Sequence, residues 1–194
     1  NVVFVSEPIY QDYDHCGKEE MYWGYNERTI FDNLYRSLEK LTECSACKIR
    51  LIIRPHPREH FENWDYIGDN LKNNKISVEL DREHNSFSLM KSADLVCGMS
   101  SMFLLESMIC ERPVLSIMIG LKKENPFVLD MTGQCKSILS EEELLEHLLQ
   151  LFFKGEDGMS ESNDMEQHCA FGYPKGVENA TDKIMQLVEG EMAE

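Results

Sequence analysis

Positive charge is scarce in this chain of 194 residues: 19 lysines and arginines stand against 35 acids, for a formal net charge of −16. The cations are scattered, so no basic stripe exists to follow a phosphodiester backbone or an anionic membrane surface, and nucleic acid is not an expected partner. Long apolar runs are missing too. Nothing approaches the roughly 18 residues that a membrane-spanning helix requires, so no transmembrane segment is expected. No charged–apolar–small signal segment opens the chain, and no internal repeat is visible. The seven cysteines form an odd set, and no second CxxC follows Cys44–Cys47. Without a secretion signal, that pattern predicts reduced thiols in a cytoplasmic protein rather than a disulfide scaffold. The first residue is Asn1 rather than Met, and a core-like strand begins at once. The expectation is a piece cut from a longer polypeptide, with the missing part upstream.

What is present is a globular composition, 42% hydrophobic, enough for one domain with a core. Short Val/Ile/Leu runs at Val2–Val5, Arg50–Ile53, Ile76–Leu80, Asp94–Cys97 and Pro113–Ile117 read as buried strands. Between them lie helical patterns. Asn26 caps a helix carrying Ile30, Phe31, Leu34, Leu38 and Leu41 on one face. Weaker helices are expected from about Glu59 to Lys72 and over Asn85–Lys91, then Met102–Cys110. Ser140 opens a capped helix through Phe153, and Glu124–Ser137 reads as irregular with a short edge strand. Alternating strands and helices predict an α/β fold, a doubly wound and mainly parallel sheet between helical layers. With strand order 3-2-1-4-5, the loops after Val5, Ile53 and Cys97 gather where that order reverses, the place such folds bind ligands. Residues 1–154 are expected to form this domain. Residues 155–194 are read as an acidic loop and a helix over Val177–Val188 packing on it.

Those three loops hold the residues with chemical potential. Gly98-Met99-Ser100-Ser101 turns from a strand into a helix, where unpaired backbone N–H groups and the helix dipole favour an anion. Gly98 permits close backbone approach, while Ser100 and Ser101 offer hydroxyls and a cap. Glu106 has Met102, Phe103, Ile109 and Cys110 as helical neighbours, which predicts a carboxylate on an apolar surface, suited to the paired hydroxyls of a ribose, with a solvent-facing gap or a pair with Arg112 as the alternative. Arg54-Pro55-His56-Pro57-Arg58 locks an imidazole between two cations, fit to face phosphate. Ser6 and Glu7 end the first strand and face the same crevice. Tyr10, Tyr13, Tyr22, Trp23 and Tyr25 suit stacking on a base or sugar and equally suit packing against the expected upstream domain. His56 and His60 have helical spacing, but Pro57 works against a shared face, and no metal or cofactor is expected.

Taken together, His56-Pro57, Ser100-Ser101, Glu106 and Arg112-Pro113-Val114-Leu115-Ser116 resemble the C-terminal half of type-B glycosyltransferases. The groups that look most similar contain bacterial sialyltransferases, Kdo transferases and teichoic-acid glycerophosphotransferases; the C-terminal half of UDP-GlcNAc 2-epimerases is also similar. The resemblance spans about Val2 to Phe153. It implies a Rossmann-like nucleotide-binding domain acting in polysaccharide or glycoconjugate synthesis. Its substrate would be a nucleotide-sugar linked through CMP, CDP or UDP. Ser6, Arg54, His56, Gly98, Ser100, Ser101 and Glu106 would form the binding set. His56 would act in catalysis, with no metal. An N-terminal domain of the same polypeptide would bring the acceptor, so the isolated piece would bind nucleotide weakly and turn over nothing. An epimerase-like half and a non-catalytic interaction module are the alternatives.

Overall fold

A computed structural model describes residues 1–14, 21–67, 71, 73–82 and 85–153. The expected helix over Val177–Val188 and the acidic loop before it lie outside the described residues. Five strands, β1 (Val2–Val5), β2 (Ile49–Arg54), β3 (Ile76–Leu80), β4 (Leu95–Gly98) and β5 (Val114–Ser116), form one sheet in the order β3-β2-β1-β4-β5. Every pairing is parallel. This is the doubly wound, Rossmann-like α/β fold that the alternation predicts. Right-handed crossovers place helices on opposite faces either side of β1.

The sheet is apolar because it is covered. All four residues of β1 and of β4 are buried, as central parallel strands require. Helix α1 (Glu27–Glu43) lays Ile30, Phe31, Leu34, Leu38 and Leu41 on the sheet with no exposure left. The Asn26 side chain accepts from the N–H of Arg28 and Thr29, and Thr29 Oγ1 accepts from the Asn26 N–H, which closes a capping box. Phe4, Phe31 and Trp64 meet edge to face with ring centroids 5.5–6.1 Å apart, and this triad anchors the middle of the sheet. Helices α2 (Ser86–Ser92) and α3 (Met102–Ile109) flank β4 in sequence. Two later helices are α4 (Val128–Met131) and α5 (Glu141–Phe153), and α5 packs against α1.

Three expectations change. Of the helix expected from Glu59 to Lys72, the described residues show a 3-10 turn over Phe61–Trp64 with Trp64 buried, and residues 68–70 and 72 lie outside the described residues. The segment Glu124–Ser137 holds the one-turn helix α4, and sheet-like pairing in this region is a single parallel bridge of Ile117 to Ile138. Glu106 lies on the exposed side of α3, whose buried residues are Leu104, Ser107 and Met108. Apolar neighbours predicted a buried acid, yet the helix turns only part of its surface inward. The five described cysteines are free thiols, and Cys44 and Cys47 are exposed. Among the described residues no helix is long and apolar enough to cross a membrane.

Candidate functional site

The carboxyl ends of β1, β2 and β4 sit side by side. Val5 is level with Arg54, and Phe4 with Cys97. The Ser6 N–H extends the ladder to the Arg54 carbonyl at 2.9 Å. Gly98 sits close against the neighbouring strand at this junction: a Cβ there would lie 3.0 Å from the Val5 carbonyl oxygen, a tight contact. The close approach that the glycine permits is therefore that of the neighbouring strand.

Above these strand ends opens a cleft of about 400 Å³, lined among others by Glu7, Tyr13, Trp23, His56, Arg58 and Ser101. Ser100, Tyr25 and Asp12 also line it. His56 and both serines thus share one cavity wall system. Ser6, Arg54, Gly98 and Glu106 do not line it. Ser6 is sealed beneath, donating its hydroxyl to Glu59 at 2.8 Å. Arg54 turns toward β3, where it pairs with Asp81 and donates to Ser86 Oγ at 3.2 Å.

The serine turn is held from both sides. Behind it, Ser116 Oγ donates to the Met99 carbonyl at 2.7 Å and lies 3.0 Å from Ser137 Oγ. Ser101 caps α3, its Oγ accepting from the Phe103 N–H at 3.2 Å. In front, the carboxylate of Glu7 fills the turn. Its Oε1 accepts from the Ser100 N–H at 2.6 Å and its Oε2 from Ser100 Oγ at 2.9 Å. Burial pushes the Glu7 carboxyl above the usual carboxylate range, and hydrogen bonds from Ser100, Ser101 and Met99 pull against that rise. Sequence reasoning places Glu7 at the crevice. That it would take the very N–H groups an anion needs is not visible without coordinates.

The His56 loop is held by a second internal carboxylate. Glu59 accepts from the His56 N–H at 2.6 Å as well as from Ser6 Oγ. Burial pushes its carboxyl up as well. His56 Nδ1 accepts from the Arg58 N–H at 3.1 Å, so the neutral ring carries its proton on Nε2. Desolvation and the Arg58 charge push the His56 pKa below its ordinary value, against a smaller pull from Asp12. Arg58 reaches Asp12 at 2.9 Å, tying the loop after β2 to the loop after β1.

A third buried acid grips the β1 loop. Glu27, 1% exposed, accepts from the Tyr10 N–H at 2.8 Å, and burial lifts its carboxyl to about 7. Arg28 lies over the Tyr10 ring at 4.6 Å. Farther out, Tyr13 stacks on Tyr22 at 4.9 Å and Trp23 meets both edgewise, an aromatic wall on one side of the cleft. Among the described residues no group of three or more His, Cys, Asp or Glu side chains is placed to hold a metal ion. The arrangement offers a ligand a neutral imidazole donor, serine hydroxyls, one guanidinium and aromatic faces. No protein-family model matches this chain, and no curated protein matches it.

Proposed function

We propose that this chain is the donor-nucleotide-binding half of a glycosyltransferase-like enzyme using a nucleotide-sugar in polysaccharide or glycoconjugate synthesis. The observation that supports it is the meeting of His56, Ser100 and Ser101 in one cleft at the strand-order reversal. In this reading the Nε2–H of His56 donates to the departing phosphate, and Ser101 and Arg58 add donors and charge. Tyr13 and Trp23 offer faces for a base or sugar. Acceptor and catalytic base come from a partner domain. Titration calorimetry of the chain with CMP, CDP and UDP, with and without magnesium, should show binding that His56→Ala abolishes. An absence of heat at millimolar nucleotide overturns the reading. One observation favours a second reading, a Rossmann-like interaction module without a nucleotide: the turn best suited to phosphate already holds Glu7.

A further inference from the structure

The N-terminus of α3 opens on the cleft, and the chain's own Glu7 carboxylate is already there. Two donors hold Glu7, the N–H and the hydroxyl of Ser100, and the backbone of Ser101 and Met99 lies close enough to favour its charged form. Of the N–H groups that follow, that of Phe103 is taken by Ser101 Oγ and that of Leu104 by the Ser101 carbonyl. The contact joins residues 93 positions apart in sequence, so tertiary folding creates it rather than local turn chemistry. Unlike Glu59, which is sealed, Glu7 lines the open cleft. Its carboxylate can therefore exchange with something in solution.

We propose that Glu7 is an internal occupant of the cleft's anion seat, an autoinhibitory contact that an incoming phosphate must displace. This rests on the reading of the cleft as a phosphate-binding site. Two effects oppose the incoming group. The carboxylate occupies the front of the turn and takes both Ser100 donors, and its charge repels a second anion across a few ångströms. Glu59 and Asp12 add negative charge nearby, while Arg58 offsets Asp12; His56 is neutral by preference, and Tyr25 presents a phenol to Glu7. The consequence is contrary to the usual effect of deleting a polar group in a binding cleft: removing the carboxylate strengthens anion binding.

The test titrates the 194-residue chain with inorganic phosphate and separately with CMP, at fixed ionic strength. Glu7→Ala, which removes charge and volume, should bind phosphate at least tenfold more tightly than the wild type. Glu7→Gln, which removes charge but leaves the seat filled, should gain about threefold. Adding Ser100→Ala to Glu7→Ala should reverse part of the gain, because it removes a donor from the seat. Glu106→Ala deletes the same net charge from the exposed side of α3 and should gain nothing. An equal gain in Glu106→Ala, or no gain in Glu7→Ala with an intact melting transition, overturns the proposal. Should Glu7→Ala fail to fold, Glu7→Gln decides: a rise supports the proposal and no rise overturns it. A Glu7→Ala variant that gains phosphate but still ignores CMP sinks the nucleotide reading and leaves this one standing.

Discussion

Two strand exits on the same edge of the sheet solve the same problem with opposite accessibility. Beyond β2, the His56 N–H is met by Glu59, three residues on, and the pair is closed over by Ser6. Beyond β4, the Ser100 N–H is met by Glu7 from a distant part of the chain, at the wall of an open cleft. Buried N–H groups at a strand end need an acceptor, and both exits supply one. A sealed local carboxylate fixes the shape of a loop. A half-buried long-range one at the wall of a cleft fixes a loop and also sits where a ligand would. The difference assigns Glu59 to architecture and Glu7 to the chemistry of the cleft.

The largest expected effect involves the third acid, which is sealed like Glu59 and feels its charge. Glu27 holds its proton up to about pH 7, whereas the unfolded chain releases it near 4.5. Between those values the folded state binds more protons, so stability falls as pH rises and levels off above about 7. For this one group the loss is about 3 kcal/mol. Glu7, Glu59 and Asp32, all pushed upward by burial, add to the same slope. Chemical denaturation from pH 4.5 to 8 should show the decline, and Glu27→Gln should flatten it. A stability that climbs over this range contradicts the burial of these acids.

Next comes the direct contrast of the two exits. Glu59→Ala strands the Ser6 hydroxyl and the His56 N–H, and an orphaned buried group costs about 1–3 kcal/mol, so a loss of about 2–3 kcal/mol is expected. Glu59→Gln, which keeps the acceptor oxygen, should lose about 1 kcal/mol or less. Equal losses from the two substitutions, read by urea unfolding, would mean that charge rather than hydrogen bonding holds the loop. The smallest effect concerns α3 alone. Ser101→Ala removes the cap and should cost about 1 kcal/mol, while Glu106→Ala, on the exposed side, should stay within about 0.5 kcal/mol. A thermal melt that reverses this order would put Glu106 back in a structural role.

Much of the architecture was legible before any coordinates. The apolar run Val2–Val5 announces a buried parallel strand because every other residue cannot be polar when both faces are covered, whereas the edge strand Ile76–Leu80 leaves Ser77 and Glu79 exposed. Asn26 and Ser140 announce helix starts because their side chains satisfy orphan N–H groups nearby in sequence. His56, Ser100 and Ser101 reach one cleft because strand order and crossover handedness leave few alternatives. Arg54 and Glu106 fared differently. Arg54 sits at the right strand end but turns to Asp81, and Glu106 faces outward; side-chain direction depends on partners from other parts of the chain.

The order of amino acids alone therefore settled the class of fold and, for the strand order 3-2-1-4-5 that the structure shows, the edge on which the special loops collect. Those follow from local periodicity and from the geometry of crossovers, which act over a few residues or apply to every chain. Only the folded arrangement decided which carboxylate meets which N–H. Glu7 and Ser100 come together because β1 and β4 are neighbours in the sheet. No spacing rule links those two positions, and burial is what turns an ordinary glutamate after a strand into the occupant of the helix terminus.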